Sequence, residues 1–75
     1  MITKHQTNLI NYIVICINDF ADRFAMDSAS AYRYLKQYGG IEFLMQHYEI
    51  EHTLGIDEAI DDLVMICRQN GGTLQ

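Results

Sequence analysis

The stretch "LINYIVICINDFADRF" (residues 9–24) decides the fold class of this chain. Apolar side chains recur in it at the i, i+3, i+4 and i+7 spacing that places them on one face of an α-helix. Other apolar residues stand on the remaining sides, which is typical of a helix buried on more than one side. We therefore predict a central helix over residues 3–25. The facing stripe consists of Leu9, Ile13, Cys16, Ile17, Phe20 and Phe24.

The segment "YIVICI" (residues 12–17) is continuous and rich in β-branched residues, so on its own it also fits a β-strand. The residues on both sides of it follow the helical spacing, and the sequence has no second strand-like run to pair with it. These two observations favour the helix.

Two more helices are predicted in the middle of the chain. The first begins with Asp27 or Ser28 as its N-cap, since both side chains can accept hydrogen bonds from free N–H groups of the next turn. It ends at Gly39, because a glycine after the last periodic residue readily takes the left-handed conformation that closes a helix. The next helix starts at Gly40 and is expected to fray over residues 49–53.

A last helix is predicted after a loop that ends at Gly55. Asp57 is its expected N-cap, and the acidic residues that follow suit the positive end of the helix dipole. Gly71 is expected to close the helix, and residues 72–75 to form a frayed tail. The sequence thus predicts one all-α domain over residues 1–75, a compact bundle of about four helices with short glycine-marked turns.

The length and composition indicate that this domain does not stand alone. With 75 residues, the chain forms one domain at most. Ordering it costs roughly 1.5 kcal/mol per residue, so burial has to offset on the order of 100 kcal/mol. Because 49% of the residues are hydrophobic, we expect part of the apolar surface to be covered by a protein partner or by a second copy in a homodimer.

The two cysteines and the apolar runs indicate the location. Cys16 and Cys67 lie in apolar helical stretches without the close spacing of a zinc or redox motif, so we predict two reduced, buried thiols. The longest apolar run covers residues 12–17, far fewer than the 18 or more that span a bilayer. No signal-peptide pattern is visible. We expect a soluble cytoplasmic protein that does not associate with membranes.

The charge balance argues against a nucleic-acid partner. The formal net charge is −5, and binding to phosphates requires lysine and arginine. An alternative remains, namely a small helix-turn-helix-like DNA-binding regulator in which Arg33 and Lys36 contact phosphate next to the turn at Gly39. The basic residues do not form a run; they are Lys4, Arg23, Arg33, Lys36 and Arg68.

The acidic residues are segregated along the chain. Between Lys36 and Arg68 there is no basic residue and there are seven acids. This pattern is typical of a solvated face combined with acids at helix starts, and it also fits a docking face for a basic partner, where charge contributes specificity and association rate. The seven are Glu42, Glu49, Glu51, Asp57, Glu58, Asp61 and Asp62.

The candidate partner-binding residues lie mainly in this acidic region. Tyrosine suits interfaces because it combines a large apolar area with a polar tip. On the helix around Tyr32, Leu35 and Tyr38, Tyr34 falls off the apolar stripe and is expected to be more exposed than its neighbours. The candidates are Tyr34, Tyr48, Glu49, His52, Thr53, Glu58, Asp61 and Asp62.

No catalytic constellation and no cofactor site is evident. A metal site at His47, Glu49 and His52 is a further alternative, but five residues separate the two histidines, which places them on different sides of a helix. We expect instead that one histidine packs its ring and hydrogen-bonds a backbone carbonyl at a helix end.

Several motifs are shared with a known family. They are the helix end "NDF" (residues 18–20), the turn "YLKQYG" (residues 34–39), and "HYEIEHT" (residues 47–53) followed by "IDD" (residues 60–62). Over roughly residues 11–67 the chain resembles the small bacterial family named domain of unknown function 3791. One position departs from the family pattern, since Glu51 stands where an apolar residue is expected before the histidine.

The resemblance implies a partner rather than an activity. Such proteins are short all-α chains, often encoded next to a protein that resembles an ADP-ribosyltransferase. This neighbourhood implies a two-gene module of the toxin–antitoxin kind. An acidic face is compatible with that role, since a cleft that binds the phosphates of NAD tends to be basic.

Overall fold

The computed structural model of the chain describes residues 2–74. These residues contain no β-strand, so the "YIVICI" segment is helical, and the all-α prediction is confirmed. The bundle has one helix more than the predicted four, because a short turn of helix stands where fraying was expected. The helices are α1 (Lys4–Arg23), α2 (Ser28–Gln37), α3 (Gly40–Gln46), α4 (Tyr48–Glu51) and α5 (Ile56–Gln69).

Local hydrogen bonds define the starts of the first two helices. At α1, Gln6 N donates to Thr3 Oγ1 (3.1 Å), and Thr3 N donates to Gln6 Oε1 (2.9 Å), which together form a capping box. At α2, Ser30 N donates to Asp27 Oδ1 (2.6 Å), so Asp27 rather than Ser28 is the N-cap. Each cap satisfies N–H groups that would otherwise lack a partner in the first turn.

The turn between α2 and α3 depends on two glycines. Gly39 has a φ of +82°, the left-handed conformation predicted for a helix-closing glycine. Gly40 is buried, and a Cβ there would lie 2.9 Å from Leu35 Cδ2 and 3.3 Å from Cys67 Sγ. The missing side chain therefore allows the start of α3 to pack closely against α2 and α5.

The boundaries of α5 differ from the prediction at one end only. The helix begins at Ile56 with Gly55 as its N-cap, so the prediction of Asp57 as N-cap is wrong. Asp57 instead lies in the first turn, where its charge still favours the helix dipole. At the other end Gly71, with a φ of +101°, follows the helix as predicted.

The chain after α5 returns to α2. Leu74 N donates a hydrogen bond to Tyr34 Oη (3.1 Å), and the Leu74 side chain packs against the core. These contacts fall inside the segment predicted to be a frayed tail. Gln75 lies outside the described residues, and fraying of the segment as a whole stays a prediction.

The core lies where α1 meets α2, α3 and α5. Both cysteines are buried and unpaired in it, as predicted. One face of α1 is turned away from this core, so Ile10, Val14 and Ile15 are each about half exposed, while Tyr12 and Cys16 on the inner face are buried. The largest fully buried side chains are Phe20, Leu35, Leu44, Ile60, Leu63, Cys16 and Cys67.

Candidate functional site

The short helix α4 and the residues next to it form a corner of the molecule, which we call the α4 corner (residues 47–54). Tyr48 holds this corner against α1. Its half-buried ring contacts Tyr12 edge-on with 5.5 Å between ring centroids, and His5 in the same manner at 5.6 Å. The ring of His52 stacks on its other side at 4.5 Å. Such aromatic pairs stabilise the corner beyond the area they bury.

The polar atoms of His52 and Thr53 are used locally to close α4. His52 Nδ1 lies 2.6 Å from Tyr48 O, and because a carbonyl oxygen only accepts, Nδ1 carries the proton and donates. Thr53 Oγ1 donates to Ile50 O at 2.6 Å. The prediction that a histidine packs its ring and bonds a carbonyl at a helix end is confirmed for His52. Both residues thus have a structural role in the α4 corner.

The carboxylates of α5 divide into two groups with opposite surroundings. Arg23 Nη1 donates to Asp61 Oδ1 at 2.6 Å, and Arg23 Nη2 donates to Asp57 O at 3.2 Å. Asp62 points to the side of α5 that faces Glu51. Glu58, one helical turn earlier, points between the directions of Asp61 and Asp62. Glu58 is exposed, whereas Asp62 is half-buried. The acidic region is therefore neutralised by a cation on one side only.

Glu51 is the unusual residue of the α4 corner, because its carboxyl group is buried. The residue is 4% exposed, and its Oε1 has no hydrogen-bond partner among residues 2–74. Burial, together with the hydrogen bond and the negative charge of Asp62, raises the pKa of Glu51 to about 7. Glu51 therefore accommodates a proton near neutral pH, and Asp62 is its hydrogen-bond partner.

The neighbours of this carboxyl pair on α1 are also buried. Tyr12 Oη has no hydrogen-bond partner among the described residues, and burial raises the pKa of Tyr12 well above its usual value. Burial likewise raises the pKa of the Cys16 thiol to about 11, with Asp19 and Glu51 adding to the effect. The thiol is consequently protonated at neutral pH.

Sequence reasoning did not include Glu51, Tyr12 or Cys16 among the candidate residues. A signal was present, since the family resemblance led us to expect an apolar residue before His52, where this chain has Glu51. The structure shows that the position is buried, as an apolar residue there would be. A carboxylate at a position that calls for an apolar side chain is a reason to expect a shifted pKa.

The prediction that Tyr34 is exposed is wrong. Its half-buried ring stacks on Phe20 (5.8 Å between centroids) and contacts Tyr38 (4.8 Å). Its hydroxyl accepts the hydrogen bond from Leu74. The exposed tyrosine of α2 is Tyr32, at 41%. The inner face of α2 is set by the small residue Ala31 and by Leu35, which turns Tyr34 inwards and Tyr32 outwards.

The structure brings only part of the candidate set together. Tyr34 packs on Phe20, two helical turns along α1 from the Tyr12 that supports the α4 corner, and Asp61 points to Arg23. Asp62 adjoins the α4 corner from α5 and points about 100° away from Asp61, and Glu58 lies one helical turn before Asp62. The candidates within the corner itself are Tyr48, Glu49, His52 and Thr53.

The alternative metal ligands do not converge. Over residues 2–74 no three histidine, cysteine or acidic side chains lie close enough together to hold a metal ion. His47 packs on Phe43 (4.9 Å between ring centroids), while His52 is turned to Tyr48. Glu49 is exposed. The structure therefore does not bring His47, Glu49 and His52 together as a ligand set.

The residues of the DNA-binding alternative are exposed on α2. Arg33 Nη2 donates to Ser30 Oγ at 3.2 Å, and Lys36 Nζ lies 5.8 Å from the centroid of the Tyr32 ring. The helix after the turn, α3, carries an acid, Glu42, and no lysine or arginine. DNA binding stays a prediction.

The comparisons with known proteins identify a family and no activity. Within the described part of the chain, no helix combines the length and apolar composition needed to cross a bilayer. No curated protein and no solved structure matches the sequence. Residues 11–70 match the family described as "Protein of unknown function (DUF3791)". Because this match covers most of the 75 residues, the chain belongs to that family.

Proposed function

We propose that this chain is a non-catalytic interaction module whose α4 corner binds a protein partner with a basic surface. The observation that carries the proposal is the exposure of Ile50, which is 65% accessible beside the exposed Glu49. Single exposed apolar residues are common on proteins. An isoleucine on an acidic surface is different, because it combines the apolar anchor and the charged rim that protein interfaces use.

Charge supports the same partner. Residues 49–62 carry six carboxylates and no lysine or arginine. Arg23 pairs with the Asp61 carboxylate and bonds only the backbone carbonyl of Asp57. Among the described residues, the negative charge left without a cation therefore belongs to Glu49, Asp57, Glu58 and the Glu51–Asp62 pair. A basic partner would be attracted to this face, and the attraction would weaken with added salt.

A second copy of the chain is proposed to cover α1. Ile10 and Val14 are four residues apart, share one face of α1 and are each about half exposed. This face is continuous with the half-buried Ile17 one turn further on. A homodimer that pairs these faces would bury apolar area that the monomer leaves in water.

The identity of the partner rests on the family resemblance. A protein resembling an ADP-ribosyltransferase, encoded nearby, would have a basic cleft for the phosphates of NAD, and the acidic α4 corner would cap that cleft. The chain would then act as the antitoxin-like member of a cytoplasmic two-gene module. The unpaired state of both cysteines supports a reducing location.

The test is a binding measurement with the co-expressed neighbouring gene product. In Glu49→Lys/Glu58→Lys, we expect the affinity measured by calorimetry to fall by about tenfold or more, because two attractive charges become repulsive. The matched control is Asp22→Lys/Glu42→Lys, which makes the same charge change at exposed positions outside residues 49–62. The proposal fails if the two proteins do not associate, or if both double variants weaken binding equally.

A further inference from the structure

Two buried polar atoms from different helices lie without hydrogen-bond partners under the α4 corner. They are Glu51 Oε1 on α4 and Tyr12 Oη on α1, and their residues are 4% and 8% exposed. Buried polar atoms are nearly always paired, because an unmade hydrogen bond costs the full desolvation of the group. The packing of α4 on α1 therefore includes an unfavourable contribution to the free energy of folding, from the desolvation of these two atoms.

The groups around Glu51 offer no cation. From α5 it faces Asp62, and from α1 it faces Tyr12 and Cys16, with Asp19 next to Cys16. In the residues that the structure describes, the one salt bridge is that of Arg23 with Asp61, on the other side of α5. The negative charge of the carboxyl pair can thus be reduced only by a proton.

The remaining titratable side chains near α4 point away from Glu51. Glu49 is exposed on the same short helix, and His47 and Glu42 are exposed on the side of α3. His52 is engaged with the Tyr48 ring and carbonyl, and His5 on α1 contacts the same ring edge-on. Both imidazoles are therefore turned to Tyr48 rather than to Glu51. A change of pH near neutrality therefore acts on the packing of α4 mainly through the Glu51–Asp62 pair.

We propose that α4 is a proton-dependent latch, closed when Glu51 carries a proton that it donates to Asp62 and released when Glu51 is ionised. With the proton, one carboxyl donates to the other and Glu51 stays buried. Without it, two carboxylates face each other away from water, and both charge repulsion and desolvation favour turning Glu51 into solvent.

The length of α4 makes such a release local. Four residues do not form a stable helix by themselves, so α4 persists because Tyr48 and Glu51 are packed. Segments with few buried contacts open without unfolding the domain. Because the Tyr48 ring covers Tyr12, release of α4 would also open a path to Cys16, one turn further along α1.

Hydrogen exchange on the full chain tests the latch directly. Three amides report closure, since His52, Thr53 and Leu54 N–H groups donate to Tyr48 O (3.0 Å), Ile50 O (3.1 Å) and Glu51 O (3.0 Å). After correction for the intrinsic rate, we expect their protection to fall by up to about tenfold per pH unit between about pH 4.5 and about pH 7 and to level off above that, because only in this window does the closed state hold a proton that the open state has lost. Glu51→Gln should keep its protection at about pH 8, whereas the control Glu49→Gln should lose it like the wild type.

A second measurement uses the two thiols and needs no variant. Burial raises the pKa of both Cys16 and Cys67 to about 11, so their alkylation should rise in parallel with pH if nothing moves. We expect alkylation of Cys16 by iodoacetamide to outpace that of Cys67 by about tenfold between about pH 6 and about pH 8. Parallel rates, or protection of α4 that does not change with pH, overturn the latch. The result does not depend on whether a partner binds.

Discussion

Asp61 and Asp62 are neighbours in the sequence and opposites in their surroundings. The Asp61 side chain is 68% exposed and bonds Arg23 at 2.6 Å. Asp62 is half-buried and faces the carboxyl of Glu51. Successive residues of an α-helix point about 100° apart, so adjacent acids on α5 reach different elements. The position of an acid within a charged run therefore does not decide whether its charge is balanced.

The comparison also separates two kinds of electrostatic effect. At an exposed pair, water and salt screen the charges, so attraction contributes little. At the buried pair the medium screens poorly, and the response is a change in proton affinity rather than a broken contact. The largest measurable effects should come from the Glu51–Asp62 side of α5, and the smallest from the Arg23–Asp61 side.

The pH dependence of wild-type stability is the largest expected effect. The folded-state pKa of Glu51, about 7, lies above its ordinary value of 4.5. The folded state thus binds the proton more tightly, and the stabilisation from it is complete below about pH 4.5 and lost as pH rises through about 7. We expect the free energy of unfolding to fall by at most about 3 kcal/mol over this window. Because release of α4 lets Glu51 ionise in water while the rest of the domain stays folded, the loss cannot exceed the free energy of that release.

Urea unfolding followed by circular dichroism between about pH 4.5 and about pH 8 measures this loss. The shifted pKa values of Tyr12, Cys16 and Cys67 lie well above this window and do not contribute to it. A free energy of unfolding that stays constant or rises across the window would show that the pKa of Glu51 is not raised in the folded protein.

Replacing Glu51 by glutamine should remove the fall of the free energy of unfolding with rising pH. The amide keeps the shape of the protonated carboxyl and cannot ionise, so at about pH 8 we expect Glu51→Gln to be more stable than the wild type by about 2 kcal/mol. At about pH 4.5 the two proteins should be nearly equal. The matched control Glu49→Gln alters an exposed carboxylate on the same helix and should leave the profile unchanged.

Asp62→Asn should separate the contribution of burial to the raised pKa of Glu51 from the contribution of Asp62. Burial is the first cause of the raised pKa of Glu51, and Asp62 adds to it through a hydrogen bond and its charge. Removing the charge of Asp62 should lower the pKa of Glu51 but leave it above 4.5, so the stability gain at about pH 8 should be about 1 kcal/mol. A carbon-detected NMR titration of the Glu51 carboxyl gives the midpoint. A return to the ordinary value would assign the whole shift to Asp62.

Sequence periodicity predicted those elements that are long enough to show it. The apolar spacing of α1 and α5 and the glycines at 39 and 71 indicated where most helices lie and where two of them end. The four-residue α4 is too short to show a period, so its segment was expected to fray. At α5, Gly55 caps in place of Asp57, because the extended backbone before the helix ends two residues earlier than the acid suggests.

The candidate site was less predictable, because it depends on contacts between distant residues. Tyr34 was expected to be more exposed because the apolar stripe was drawn through Tyr32 and Tyr38. The inner face of α2 instead includes Ala31, a smaller residue that the stripe did not use. The burial of Glu51 follows from its meeting with Tyr12 and Asp62, which are 39 and 11 residues away along the chain. The spacing of residues along a single sequence does not show which distant side chains come into contact.

The smallest effect is expected at the Arg23–Asp61 pair. A double-mutant cycle with Arg23→Gln, Asp61→Asn and the double variant should give a favourable coupling of about 0.2 to 1 kcal/mol, since both side chains are partly solvated. The bond from Arg23 Nη2 to Asp57 O survives in Asp61→Asn, so the cycle isolates the ion pair. Raising the salt to about 1 M should reduce the coupling towards zero.

The same cycle at Glu51→Gln and Asp62→Asn provides the contrast. At about pH 8 its coupling should have the opposite sign, because each single change already relieves the repulsion that the double variant removes. It should also depend less on salt than the Arg23–Asp61 coupling, because Glu51 is buried and Asp62 is half-buried. If both cycles gave couplings of the same sign and the same salt dependence, Asp61 and Asp62 would lie in equivalent surroundings, and the division of α5 into a neutralised face and a proton-binding face would be wrong.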